Sequence, residues 1–334
     1  MSRKSPFAET AEYAALRLFC GFVNIIPYPV AMALARFLAV LAVRVFRFKR
    51  ARTLERLRGV FPDKSRGELV SIAVRSLANV LQTGVEMMRA PKLDRAWMDR
   101  HVKDGEFYKK RLQEYVDEGR GVVIMVPHSG NWYMAAWSMA KYGLPLFAIA
   151  ARQRNSKIDA WMKRQYGDIE VLDRGSSRTL VDIKEKLCAG RAFAILPDLR
   201  VPHPDVEVDF LGGKANVSHA AAAFAVRCGS PIVVAAMRRE GGRHVFVHIA
   251  TLRPAPGAAD RKEEAERLTR EAMRLIDAEI RLCPGDWFWY NKRWILQPVK
   301  PNPKRGGEGG RAGDGKGFSK EEEGTTGKKE KGTK

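Results

Sequence analysis

The chain has 334 residues, of which 45% are hydrophobic and 9% aromatic, enough for a large buried core and too apolar for a wholly disordered chain. A formal net charge of +21 marks a surface that seeks polyanions, whether nucleic acid, an anionic membrane face or an acidic protein. The four cysteines, Cys20, Cys188, Cys228 and Cys283, form no Cys-x-x-Cys pair and no His/Cys cluster of metal-ligand spacing, which excludes a zinc-finger class and predicts reduced thiols on a cytosol-facing protein.

Residues 13–46, YAALRLFCGFVNIIPYPVAMALARFLAVLAVRVF, are the most apolar stretch. No charge occurs between Arg17 and Arg36, which just reaches across a bilayer, but Asn24, Pro27 and Pro29 interrupt a single clean helix. The stretch reads either as a kinked membrane anchor or as a pair of amphipathic helices lying in the interface with the prolines between them. A cleaved signal peptide fits poorly, because the apolar region is long and no convincing small-residue cleavage site follows it. Residues 44–58, RVFRFKRARTLERLR, carry seven Lys/Arg against one Glu, an arrangement that matches a juxtamembrane basic cluster held on anionic lipid at about 1 kcal/mol per charge. Residues 1–58 are therefore expected to form a membrane-associating segment.

From Lys64 to Met88 the pattern is helical, and Ser65 followed three residues later by Glu68 reads as a capping box. Strand-like runs then occur at 121–126, 146–151, 169–173, 192–197, 231–237 and 244–250, with helix-like segments between the earlier ones. Alternation at that spacing predicts an α/β domain over 59–298, with a mostly parallel central sheet flanked by helices and room for antiparallel late strands. Residues 299–334 are rich in Gly, Lys, Glu and Thr with almost no apolar side chain, and read as a disordered tail.

The first strand-like run ends at Pro127 and opens into His128, Ser129, Gly130, Asn131, Trp132 and Tyr133. A histidine in the turn between a buried strand and a helix sits where α/β proteins usually place their chemistry, although it serves equally well to satisfy the turn's backbone.

Four separated pieces resemble the bacterial lipid A late acyltransferases, the lauroyl/myristoyl transferase family within the glycerolipid acyltransferase superfamily. They are PHSGNWY (127–133), RQRNSKIDAWMKRQYG (152–167), AILPDLRVPHPDVEVDFLGGKANVSHAAAAFAVRCGSPIV (194–233) and DWFWYNKRW (286–294), and the resemblance covers roughly residues 10–298. It implies transfer of a fatty acyl chain from a thioester, on acyl carrier protein or coenzyme A, to a hydroxyl of a glycolipid such as a lipid A precursor. No cofactor or metal is implied beyond that donor substrate. It also implies a bacterial inner membrane location with the catalytic domain on the cytoplasmic side, and a lipid acceptor and acidic acyl carrier protein as partners rather than nucleic acid. A nucleic-acid binder would rest on the charge alone, since no zinc-finger spacing, RNP-type aromatic motif or P-loop accompanies it.

The resemblance makes His128 the base that takes the acceptor hydroxyl's proton. The family's Asp or Glu, five residues on, orients the ring; here that position is Tyr133, whose neutral hydrogen bond contributes about 0.5–1.5 kcal/mol where a charge-assisted one contributes about 1.5–3 kcal/mol. Chemistry roughly ten- to a hundredfold slower is the expectation, with a catalytically weakened lipid- or carrier-binding relative, or a lysophospholipid acyltransferase, as the alternatives. Asp198, closing the run AFAILP, is a third functional position by the resemblance, or else a turn-capping Asp; Leu199 follows it where the family often has Gln. Asn131, Arg152, Arg164, Lys292 and Arg293 are expected to contact substrate, Arg164 through a planar fork suited to phosphate or to a thioester oxygen, and Lys292 and Arg293 through lipid headgroups.

Overall fold

The computed structural model describes residues 5–201 and 204–296, so the tail expected at 299–334 lies outside the described residues. Two apolar helices open the chain, α1 (Pro6–Ile25) and α2 (Tyr28–Val40), the second prolonged by a π-helical turn at Leu41–Val45. Pro27 is the N-cap of α2 and Pro29 lies in its first turn, positions where a missing N–H breaks no helical hydrogen bond. The prolines thus divide the apolar stretch into two helices. The basic segment becomes α3 (Arg50–Val60), entered through Arg47 and Lys49 with left-handed φ of 53° and 47°.

Ser65 and Glu68 form the expected capping box of α4 (Arg66–Arg89), with Ser65 Oγ accepting from the Glu68 N–H at 3.3 Å and Glu68 Oε2 from the Ser65 N–H at 2.8 Å. There follow α5 (Arg95–His101), β1 (Val102–Lys103), α6 (Gly105–Asp117), β2 (Val122–Met125), α7 (Trp132–Lys141), β3 (Leu146–Ala150), α8 (Ser156–Gln165), β4 (Glu170–Asp173), α9 (Thr179–Cys188) and β5 (Ala192–Ile195). A hairpin of β6 (Val206–Phe210) and β7 (Gly213–Val217) precedes α10 (Ala220–Cys228), β8 (Ile232–Glu240), β9 (Arg243–Leu252) and α11 (Arg261–Leu282).

The main sheet has seven strands in the order β1-β9-β8-β2-β5-β3-β4. Pairings from β8 across to β4 are parallel, and β9 runs antiparallel to β8. All six strand-like runs of the sequence are strands of this sheet; β1 and the β6–β7 hairpin are additions that the sequence reading missed.

Both faces of the sheet are covered, and the alternation of β2 shows how. Val122, Ile124 and Val126 enter one core with Met98 of α5, Leu112 of α6, Met134 and Trp137 of α7 and Trp161 of α8. Val123 and Met125 enter the other, with Leu187 of α9, Ala225 of α10 and Ile276 of α11. A strand buried on both faces has no polar side, so its sequence is a continuous apolar run. Helix α4 supplies Leu69, Ile72 and Leu77 to one core and Met87 to the other.

Helix α2 packs on α4 through Ala31, Met32, Ala35 and Ala39 and turns Val30, Leu34, Phe37 and Leu38 outward. Leu18, Phe19, Phe22 and Ile25 of α1 are exposed as well. The expectation of reduced thiols is corrected: Cys188 and Cys228, the last residues of α9 and α10, are joined by a disulfide with Cα atoms 5.0 Å apart. They are 40 residues apart in sequence, but α9 and α10 pack side by side and end together.

Candidate active site

His128 and Asp198 meet because two neighbouring parallel strands end in register. Met125 of β2 pairs with Ile195 of β5, and each candidate residue lies three positions further along the chain. The loops leave the carboxyl ends of adjacent strands together, the place where open α/β sheets gather ligands. Asp198 is fully buried, and its Oδ1 stands 2.8 Å from His128 Nδ1. Its Oδ2 accepts the His128 backbone N–H at 2.7 Å and the Trp287 indole N–H at 2.7 Å.

Burial by itself would raise the Asp198 pKa. The charge on His128 and the hydrogen bonds from the His128 ring, the Trp287 indole and the His128 backbone outweigh it, and hold the carboxyl below its ordinary value. An ionised carboxylate only accepts, so Nδ1 carries a proton in either state of the ring, and in the neutral ring Nε2 keeps a lone pair. The half-buried His128 ring lies beside Trp132, centroids 5.2 Å apart, and Trp132 stacks at 6.4 Å on Phe288.

The turn that carries His128 is fixed from below by one face of α4. Ser76, Asn79, Thr83 and Glu86 recur on a helical stripe and all are buried. Ser76 Oγ donates to Trp287 O at 2.5 Å, and Asn79 Nδ2 donates to Gly130 O at 2.7 Å and to Asp286 O at 2.9 Å. Glu86 Oε2 accepts Asn131 Nδ2 at 2.6 Å and a close contact from Arg239; Oε1 accepts Tyr28 Oη at 2.7 Å, Arg239 Nη1 at 2.9 Å and His244 Nε2 at 2.8 Å. Burial would raise the Glu86 pKa, but Arg239 and His244 overcome this and hold it well below the carboxylate range. Gly130 adopts φ +57°, and a Cβ there would stand 1.4 Å from Met237 O, so no other residue fits the turn. Gly130 N–H donates to Asp286 O, and Phe288 N–H to His128 O, both at 3.0 Å.

Of the residues singled out in the sequence, the structure brings His128 and Asp198 together. Tyr133 is a correction. Its ring stacks on Trp137 at 5.5 Å and on Tyr166 at 6.3 Å, and its hydroxyl lies against the Trp132 indole and the Tyr166 hydroxyl rather than His128 Nδ1, which Asp198 already occupies. Asn131 is likewise corrected from substrate contact to scaffold: it is fully buried, caps α7 by accepting the Met134 N–H at 2.9 Å, and donates to Glu86.

The cationic positions are dispersed. Arg152, just beyond β3, pairs with Asp173 at 2.6 Å, and Arg164, in the last turn of α8, donates to Tyr13 Oη at 3.4 Å. Lys292 and Arg293 are exposed, and Arg293 lies close enough to Arg174 to lower that guanidinium's pKa, second to the effect of partial burial. The C-terminal aromatics are core: Trp287, Trp289 and Trp294 are buried with centroids 4.9 to 5.9 Å apart. What sequence reasoning missed is the contribution of Trp287 to the carboxylate, and the Asn79, Glu86 and Arg239 support. For Asn79 and Glu86 the only sequence signal is polar residues at helical spacing in an otherwise apolar face, Trp287 lies in the quoted DWFWYNKRW block, and Arg239 stands at the end of the β8 run.

The family model described as bacterial lipid A biosynthesis acyltransferase matches residues 5–295. The chain is similar to the phosphatidylinositol mannoside acyltransferase of Mycolicibacterium smegmatis, at 25% identity over 252 residues that cover 73% of this chain and 78% of that protein. It is also similar to the phosphatidylinositol mannoside acyltransferase of Mycobacterium tuberculosis strain H37Rv, at 24% identity over 248 residues, 73% of this chain and 76% of that protein.

Proposed function

The chain belongs to the bacterial lipid A biosynthesis acyltransferase family, and we propose that it moves a fatty acyl group from a thioester of acyl carrier protein or coenzyme A to a hydroxyl of a membrane glycolipid, with His128 as base. The observation that carries this reading is the His128–Asp198 pair; a carboxylate against Nδ1 calls for the ring proton there and leaves Nε2 as acceptor. Nε2 takes the proton of the acceptor hydroxyl as its oxygen attacks the thioester carbonyl. The tetrahedral intermediate then collapses, the C–S bond breaks, and the departing thiolate takes the proton from Nε2. Asp198 stays ionised throughout and stabilises the transient imidazolium, as a buried carboxylate does in a serine protease triad.

The acceptor follows from the relatives: one branch of the resemblance names lipid A precursors, and the similar mycobacterial proteins are named for phosphatidylinositol mannoside. Both are sugar-bearing, negatively charged lipids, and a glycolipid of that description is the acceptor class proposed here. Arg174 after β4, Arg200 after β5 and the exposed Arg293 put positive charge at the carboxyl edge of the sheet, which suits an acidic carrier protein or coenzyme A phosphates as donor. Of the two departures behind the weakened-relative reading, Tyr133 and Leu199, the first carries less weight, because a charged partner for His128 comes from Asp198.

Attachment to the membrane is proposed to be interfacial rather than spanning. Tyr28–Val45 is long and apolar enough to cross a bilayer, but one side of it is packed against α4, so only its outward stripe is free to meet lipid. Both α1 and α2 present such stripes, with Arg44, Arg47, Lys49 and Arg50 next to them for anionic headgroups. The inner membrane, with the catalytic domain on the cytoplasmic side, is the proposed location.

The function is tested with purified protein, long-chain acyl-CoA or acyl-acyl carrier protein, and glycolipid acceptors, with product read by mass spectrometry. Wild type is expected to acylate at least one acceptor, and His128→Ala to lose roughly 10²–10⁴-fold in kcat. Equal activity of His128→Ala and wild type would move the base elsewhere.

A further inference from the structure

Trp287 is one of three buried tryptophans that pack together beyond α11, and its polar atom is used differently from that of its neighbour. Trp289 Nε1 donates to the Pro284 carbonyl at 2.7 Å, an ordinary way for a buried indole to satisfy its N–H. Trp287 Nε1 donates instead to Asp198 Oδ2 at 2.7 Å, and so joins the aromatic core to the carboxylate that meets His128.

The backbone fixes where this indole stands. A β-bridge pairs Trp287 antiparallel with Ser129, flanked by Gly130 N–H on Asp286 O and Phe288 N–H on His128 O, each at 3.0 Å. Ser76 Oγ donates to Trp287 O at 2.5 Å. The ring meets Trp289 edge-on at 4.9 Å and Phe210 of the β6–β7 hairpin at 6.5 Å. Indole and imidazole are therefore carried by two segments bonded to each other, with the carboxylate between them.

That bracket decides how Asp198 points. The terminal torsion of an aspartate is broad and roughly two-fold, so the carboxylate takes the orientation its donors give it. Oδ2 has two donors at 2.7 Å, the His128 backbone N–H and the Trp287 indole, which leaves Oδ1 for His128 Nδ1 at 2.8 Å. Among the described residues the indole is the only donor to Asp198 that does not belong to His128 itself. Its bond to an ionised acceptor is of the stronger kind, and both side chains are buried, so water does not replace it.

We propose that Trp287 is a positioning residue for acyl transfer: its indole N–H holds Asp198 in the orientation that keeps a proton on His128 Nδ1 and leaves Nε2 free in the neutral ring. The proposal rests on the reading of His128 as base and adds the group outside the pair that sets its geometry.

The test removes one N–H and keeps the rings. In the full chain Trp287 is replaced by benzothienylalanine, which carries sulfur in place of the indole N–H, and the same replacement at Trp289 is the control. Trp287→Phe loses the same donor but also opens a cavity, so the analogue decides. The measurements are kcat and KM for acyl transfer and NMR of isotope-labelled imidazole nitrogens, with the His128 signals identified by their absence from His128→Ala. The analogue at position 287 is expected to lower kcat roughly tenfold or more with KM within about threefold, and to move the neutral His128 ring toward the Nε2–H tautomer. The control is expected to change neither. Wild-type kcat in the Trp287 analogue, a loss of kcat with the tautomer unchanged, or an equal loss at Trp289 would overturn the assignment. The tautomer is read without turnover, so if His128→Ala kept full activity the base reading would fail while the spectrum still decided for or against Trp287.

Discussion

Replacing Asp198 by asparagine changes one atom and reverses the proton on His128. Two of the three hydrogen bonds to Asp198 come from donors that cannot tautomerise, the His128 backbone N–H and the Trp287 indole, both at 2.7 Å from Oδ2. The amide oxygen of the introduced side chain therefore takes that side, where an NH₂ would face two N–H groups. Its NH₂ then points at His128 Nδ1, 2.8 Å away in the wild type, and that nitrogen becomes the acceptor. The ring proton moves to Nε2, the atom proposed as base. Loss of general-base catalysis costs about 10²–10⁴ in kcat, or about 3–5 kcal/mol of activation free energy. The fold should lose only about 1–2 kcal/mol, because every donor keeps a partner and only the charge assistance is gone. The assay is steady-state acyl transfer beside urea unfolding of the same preparation. An Asp198→Asn protein with kcat within about threefold of wild type would refute the tautomer argument, since that ratio is under 1 kcal/mol.

Tyr133→Phe should leave kcat within about threefold, because the phenol does not touch the base, whereas Tyr133→Glu should lower the melting temperature without raising kcat, since it sets a carboxylate among Trp132, Trp137 and Tyr166. A rate gain in Tyr133→Glu would show that position 133 reaches His128. Replacing both Phe37 and Leu38 by Asp, at 57% and 48% exposure, should weaken co-sedimentation with anionic vesicles by tenfold or more, as each buried apolar side chain is worth about 1.5–3 kcal/mol; unchanged partition would remove α2 from the interface. Glu86 gives an acid-side prediction. Its native pKa lies well below the unfolded value near ~4.3, so in that window the unfolded chain binds more protons and stability rises with pH. The contribution is fully present above about pH 4.3 and is lost as pH falls through the native pKa; the stability gap between wild type and Glu86→Gln should therefore narrow in acid, and a gap that stays constant from about pH 7 to pH 3 would contradict it.

The central strand β2 was legible because its apolar run is continuous, as an interior parallel strand requires, and α4 announced itself through Ser65 and Glu68. The β6–β7 hairpin was not, since Leu211 and Gly212 turn it with φ of +51° and +78° inside a block that the resemblance presents as a loop and helix. For the site, His128 could be read from its place after β2, and Asp198 from its place after β5, but their partnership could not: it depends on β2 and β5 being neighbours, which is strand order rather than spacing along the chain. Counting five residues from His128 reaches Tyr133, a neighbour in sequence whose ring α7 turns toward Trp137 and Tyr166. The carboxylate arrives from the next strand, 70 residues away. The same holds for Cys188 and Cys228, which meet because two helices end together.

One buried carboxylate ties the outward-facing helix α2 to the turn that carries His128. Tyr28, the first residue of α2, donates to Glu86 Oε1, and Asn131, the cap of α7, donates to Oε2 of the same group. Arg239 bonds both oxygens and also Asn79 Oδ1, whose own amide holds Gly130 O, so the ring of contacts closes on a position that only glycine can occupy. Removing Glu86 or Arg239 leaves an uncompensated buried charge, at a cost of about 3–5 kcal/mol, where the loss of an ordinary hydrogen bond from Tyr28 or Asn131 costs about 1 kcal/mol. The start of α2 and the start of α7 are thus fixed to each other through a group that tolerates no drift. Under the proposed interfacial attachment of α2, the imidazole is held at one set offset from the lipid surface, as a hydroxyl on a membrane glycolipid would require of the proposed base.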